Sequence, residues 1–131
     1  DDFDNLINAA RKAVAHGYRV YILPNPRSCR TADFIFERKG IFKMYDLKTI
    51  IGKGSVDNRL AESTGQSNRV LLNMATEYRA GLLARAILSY FEQSKEAREV
   101  VVMKADKYIS VTRQTVKDKN FIISFSKKFY K

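Results

Sequence analysis

Apolar residues recur at helical spacing in two stretches of the chain. From Asp2 to His16, Phe3, Leu6, Ile7, Ala10 and Val14 fall three and four apart, with acids in the first turn and Arg11 and Lys12 late. This pattern predicts an amphipathic helix that stops at Gly17. From Arg79 to Gln93, Leu82, Leu83, Ala86, Ile87, Tyr90 and Phe91 form a wide apolar face, which predicts the strongest helix. Strand-like runs fill much of the rest: Arg19 to Leu23, Asp33 to Arg38, Ile41 to Ile50, Arg69 to Met74, Glu99 to Met103, Tyr108 to Arg113 and Phe121 to Ser126. A short helix is expected around Val56 to Thr64, ahead of Gly65. The order of elements predicts an α/β (α+β) fold, with a mixed central sheet containing a core hairpin and flanked by helices.

Length adds that the 131 residues form a single domain, 1–131, large enough to bury a core without staples. One cysteine, Cys29, excludes an internal disulfide framework and cysteine-rich zinc sites, and one histidine, His16, excludes two-histidine catalysis. A nucleophilic role for Cys29, flanked by Arg27 and Arg30, lacks a histidine partner. No apolar run is long enough to span a membrane. The opening Asp1-Asp2, without Met, reads as the start of a fragment cut from a longer polypeptide. Charge changes the picture most. Twenty-four Lys and Arg against 14 Asp and Glu give +10, with 11 basic and 8 acidic groups in residues 1–66 and 13 and 6 in residues 67–131. A polyanionic partner is the expectation.

Against that excess of cations, two acids stand out. Lys39-Gly40 separates two strand-like runs and predicts a hairpin turn. A turn centred on that bond places Arg38 opposite Ile41 and Asp33 opposite Asp46. Alternation then puts Phe42, Met44, Asp46 and Lys48 on one face. A glycine bulge at Gly40 would shift the register by one and make the two acids diagonal neighbours. Facing carboxylates repel unless a cation lies between them. A divalent metal with Lys48 nearby suits phosphodiester hydrolysis: oxygen ligands for a hard cation, and an ammonium to orient water or offset charge on the phosphorane. Leu47, Ile50, Phe34 and Phe36 suggest that these charges are embedded in an apolar sheet.

Ala32-Asp33, a twelve-residue gap and Asp46-Leu47-Lys48 resemble the PD-(D/E)xK nuclease motif. The leading helix, the hairpin ending in Asp-Leu-Lys-Thr (46–49), the polar loop reaching Gln66 and the apolar strand from Arg69 are similar to the C-terminal nuclease domains of contact-dependent growth-inhibition and other polymorphic toxins. The similarity covers roughly residues 2–75. Ala32 stands where the name-giving proline would be, and the first helix offers no glutamate ligand. The resemblance implies a restriction-endonuclease-like fold and a nuclease of tRNA, other RNA or DNA. Asp33 and Asp46 would be its metal ligands and Lys48 its catalytic lysine, with Thr49, Ser63 and Gln66 auxiliary. Mg²⁺ is the expected metal, with Mn²⁺ and Zn²⁺ as alternatives. It further implies an acidic cognate immunity protein, and action in the cytoplasm after delivery from a secreted or cell-surface parent.

Two other readings compete. One is a metal-free ribonuclease of the barnase, colicin and RelE-like group, using Lys, Arg, Thr or His16. The other is a non-catalytic nucleic-acid-binding module whose last 32 residues combine 8 basic and 2 acidic groups with Tyr108, Phe121, Phe125, Phe129 and Tyr130.

Overall fold

A computed structural model describes residues 2–24, 32–52, 56–63 and 67–131. Helix α1 (Phe3–Ala15) begins where the Asp2 carboxylate accepts the Asn5 N–H at 2.9 Å, and it ends before Gly17, whose φ of +92° suits a residue without Cβ. Six strands follow in one sheet: β1 (Arg19–Ile22), β2 (Phe34–Arg38), β3 (Ile41–Ile50), β4 (Arg69–Met74), β5 (Glu99–Lys104) and β6 (Lys107–Thr112). Their spatial order is their order in the chain. Helix α2 (Val56–Glu62) joins β3 to β4 and helix α3 (Ala80–Gln93) joins β4 to β5. These two crossovers leave β3, β4 and β5 parallel, whereas the other neighbours are antiparallel. The sheet is therefore mixed, with a parallel centre between antiparallel edges.

The hairpin register matches the arithmetic of the turn. Arg38 pairs with Ile41 and each pair steps evenly back to Phe34 with Tyr45, so Gly40 introduces no bulge. Lys39 and Gly40 both take positive φ, 53° and 79°, as a two-residue turn of the type that matches strand twist requires.

Two apolar layers sandwich the sheet. On one side α1 lays Ala9 and Ala13 on Phe34, Phe36, Tyr45, Leu47, Leu71, Val101 and Met103. On the other, α2 and α3 cover Ile50, Val70, Leu72, Val100 and Val102. Arg113 ties the end of α3 down by donating to the carbonyls of Phe91 (3.0 Å), Ser94 (2.7 Å) and Ala97 (2.9 Å).

Phe121 to Ser126, expected as a strand, belongs instead to helix α5 (Phe121–Tyr130), which follows the short α4 (Arg113–Val116). Phe121, Phe125 and Phe129 sit four apart, ring centroids 5.9 and 5.8 Å from one another, and all three are buried against α3. These three rings are core, whereas Tyr130 at the end of the same helix is 62% exposed.

Candidate active site

Asp33 immediately precedes β2, at the end of its ladder with β3 that lies away from the turn. Its N–H donates to the Tyr45 carbonyl at 2.9 Å, and its carboxylate Oδ2 accepts the Leu47 N–H at 2.7 Å. The side chain thus extends the hairpin's hydrogen bonding by one step and is held against β3. Directly beyond, Asp46 is 3% exposed and its carboxyl is in hydrogen-bond contact with that of Asp33. Lys48, two residues along the same face, places Nζ 3.6 Å from Asp46 Oδ2. The fully buried Ser63, just past the end of α2, donates its hydroxyl to the same oxygen at 2.7 Å. Hairpin and α2 therefore meet at one carboxylate.

Burial is the main force on that carboxyl, raising its pKa from 3.8 to about 6; the Ser63 hydrogen bond opposes the rise, Asp33 adds to it and Lys48 opposes it. The Asp46 carboxyl therefore holds its proton to a higher pH than an ordinary aspartate does. Tyr90 of α3 also feels this centre. Its hydroxyl is raised by burial first, then by the charges of Asp46 and Glu96. Tyr90 forms one wall of a cleft of about 580 Å³ between α2 and α3, with Leu60 and Ala61 opposite. Sequence reasoning counted Tyr90 as core, although a polar tip on α3's apolar face was a visible signal.

Of the residues singled out in the sequence, the fold brings Asp33, Asp46, Lys48 and Ser63 together. Thr49 is not among them. Alternation turns it to the α1 face, where it pairs in register with Asn73, whose amide donates to Asn8 Oδ1 (2.8 Å) and accepts from Lys12 Nζ (2.6 Å). Gln66 and Cys29 lie outside the described residues. His16 caps α1 and rests its ring 5.2 Å from that of Tyr108, away from the carboxylates.

A second polar group went unanticipated. On the α1 face Glu99 accepts the Tyr45 hydroxyl at 2.6 Å, binds Ser110 and lies 3.2 Å from Arg69 Nε. It exists because parallel pairing puts β3, β4 and β5 side by side, which the sequence left open.

No protein-family model, curated protein or solved structure matches this chain. The chemistry of the site therefore carries the functional argument. Among the described residues no three His, Cys, Asp or Glu side chains gather as a metal cluster. The donor set that does exist is two carboxylates in contact, which fits a hard cation such as Mg²⁺, because Mg²⁺ keeps several waters and takes one or two carboxylates plus substrate oxygens. Among the described residues no helix is long and apolar enough to cross a membrane.

The Ser63 contact makes a separate prediction. Because the hydroxyl favours the ionised form of Asp46, Ser63→Ala should lower stability by about 1–2 kcal/mol at pH 7.5 and by less at pH 5. Urea unfolding at the two pH values measures this. An equal loss at both would mean that the hydroxyl acts only through packing.

Proposed function

We propose that this domain is a metal-dependent nuclease of the PD-(D/E)xK kind, which hydrolyses phosphodiester bonds in RNA or DNA. The observation that carries the reading is the pair of touching carboxylates beside Lys48 in a chain of net charge +10. A structural role alone gives no reason to bury Asp46 against another acid, since desolvation and like charge both penalise it. A catalytic role does give one.

Asp33 and Asp46 would hold a divalent cation, which when bound supplies a water of lowered pKa and an electrophile for the phosphate. Each residue of the chain then has a definite task. Asp33 is fixed by the Leu47 N–H and Asp46 by Ser63, so both carboxylates are oriented before any ligand arrives. Lys48 is the cation that remains close to Asp46, and its compact ammonium can meet charge developing on a phosphoryl oxygen or orient the attacking water. The basic excess attracts the substrate and repays the local concentration of acid.

Its likeness to polymorphic toxins extends the proposal: a C-terminal toxin domain, delivered from a secreted or cell-surface parent to act in the cytoplasm, and neutralised by an acidic immunity protein. Association with such a partner would be fast and salt-sensitive.

Incubating the purified domain with total RNA and with plasmid DNA, in Mg²⁺ and in chelator, tests the core of the reading. Cleavage of at least one substrate that needs the metal and is abolished by Asp33→Ala is expected. Cleavage that persists in chelator would favour the metal-free ribonuclease, and salt-dependent binding without any cleavage would favour the binding module.

A further inference from the structure

The sheet face that carries Asp33 and Asp46 continues beyond them as an uncovered platform. Helices α2 and α3 cover β3 to β5, and on that side the first half of the hairpin is left open. In register across β1, β2 and β3 stand Tyr21, Ile35 and Met44, and next to them Arg19, Glu37 and Phe42. Phe42 is 62% exposed, Met44 48% and Tyr21 46%. Exposed aromatics grouped on a sheet beside a polar centre differ from scattered surface apolar residues and mark a binding surface.

We infer that this platform stacks the unpaired bases of a single-stranded nucleic acid whose backbone runs on to Asp33, Asp46 and Lys48. The inference deepens the nuclease reading by naming its substrate class. Three observations favour bases over other occupants. Continuity is the first: Phe42, Met44, Asp46 and Lys48 lie on one face of β3, so a strand laid along the platform arrives at the carboxylates. Spacing is the second. Phe42 and Met44, two apart on β3, stand ~6.8 Å apart, twice the ~3.4 Å rise of a stacked nucleotide, which suits opened bases rather than a duplex with its bases turned inward. Charge is the third. Glu37 is engaged by Arg19 at 3.8 Å and by the Gly40 N–H, and Arg19 is itself largely exposed at the platform's edge. A second copy would set another +10 against this one, whereas a phosphate backbone compensates it.

The test is binding in chelator, so that cleavage plays no part. Fluorescein-labelled twelve-nucleotide oligo(U) and oligo(A), and a duplex of the two, are titrated against the wild type, Phe42→Ala, Tyr21→Ala and the control Val14→Ala, an exposed position on α1. Thermal melting checks that each variant is folded. Single strands should bind more tightly than the duplex, and Phe42→Ala and Tyr21→Ala should each weaken single-strand binding about fivefold or more while duplex binding and the control are unchanged. Equal affinity for single strand and duplex, or full single-strand affinity in both platform variants, would overturn the inference while leaving metal-dependent cleavage standing. So would a change confined to self-association in sedimentation, which would assign the face to a second copy. If oligonucleotides bind as inferred but no substrate is ever cut, the nuclease reading fails and the platform stands.

Discussion

Lys48→Ala is expected to lower phosphodiester cleavage by about 10²–10³-fold while leaving the domain folded, because an ammonium aimed at developing charge contributes that order of rate. The position allows a clean measurement. The Lys48 side chain is only 12% exposed and lies 3.6 Å from Asp46 Oδ2, yet the apolar layers around it are made by Ile50, Val70, Leu72 and the residues of α2 and α3, and thermal melting of the variant checks that it is folded. Removing the ammonium withdraws one of the influences that keep Asp46 ionised, so the variant's carboxyl should bind its proton more readily. Lys48→Arg separates the possible roles. Arginine keeps the charge but not the compact shape, and recovery of most activity would assign Lys48 to charge stabilisation rather than to positioning of a water. Wild-type rates in Lys48→Ala, measured as single turnovers under saturating Mg²⁺, would remove Lys48 from the mechanism.

The second large effect lies in the pH dependence of stability without metal. The folded-state pKa of Asp46 is raised, to about 6 from 3.8, so the native state binds its proton more tightly than the unfolded chain does. Stability from this group is therefore fully present below about pH 4 and is lost as pH rises through 6, a difference of about 3 kcal/mol. Asp46→Asn carries a permanently neutral group. The stability of the wild type minus that of Asp46→Asn, measured by urea unfolding in chelator, should fall between pH 4.5 and pH 7.5. A flat difference would show that the carboxyl is not protonated in the native state. Millimolar Mg²⁺ should restore the loss at pH 7.5 and have little effect at pH 5, where proton and cation compete for the same oxygens.

The legibility of these features in the sequence followed the range of the interactions behind them. Asp33 opposite Asp46 could be read because a two-residue turn at Lys39-Gly40 fixes every pair in the hairpin by local geometry alone. Burial of Asp46 was also foreseeable, since Leu47 and Ile50 beside it and Phe34 and Phe36 on the partner strand are apolar. Ser63 was legible as a polar group near the motif, but not as the donor to Asp46, because that depends on how far α2 carries the chain back over β3. The face of Thr49 was open to reading, as alternation from Asp46 already turns it away. Phe121 to Ser126 was ambiguous in a different way: the segment alternates over six residues and also repeats every four when Phe129 is included, and tertiary packing against α3 chose the helix. The Glu99 group with Tyr45, Arg69 and Ser110 needed the parallel order of three strands, which no single segment encodes.

Consecutive strands are neighbours, yet only β2–β3 and β5–β6 close as local hairpins; the parallel centre pairs Asp46 with Val70 and Arg69 with Glu99 across the crossovers that carry α2 and α3, so its loop entropy must be met before those pairs form. Asp33 and Asp46 come together with the hairpin, yet the burial that sets the proton affinity of Asp46 arrives only when α2 and α3 close over β3. Proton uptake during refolding near pH 5 would therefore lag behind strand formation, and the acid pair would report the docking of the helices rather than the birth of the sheet.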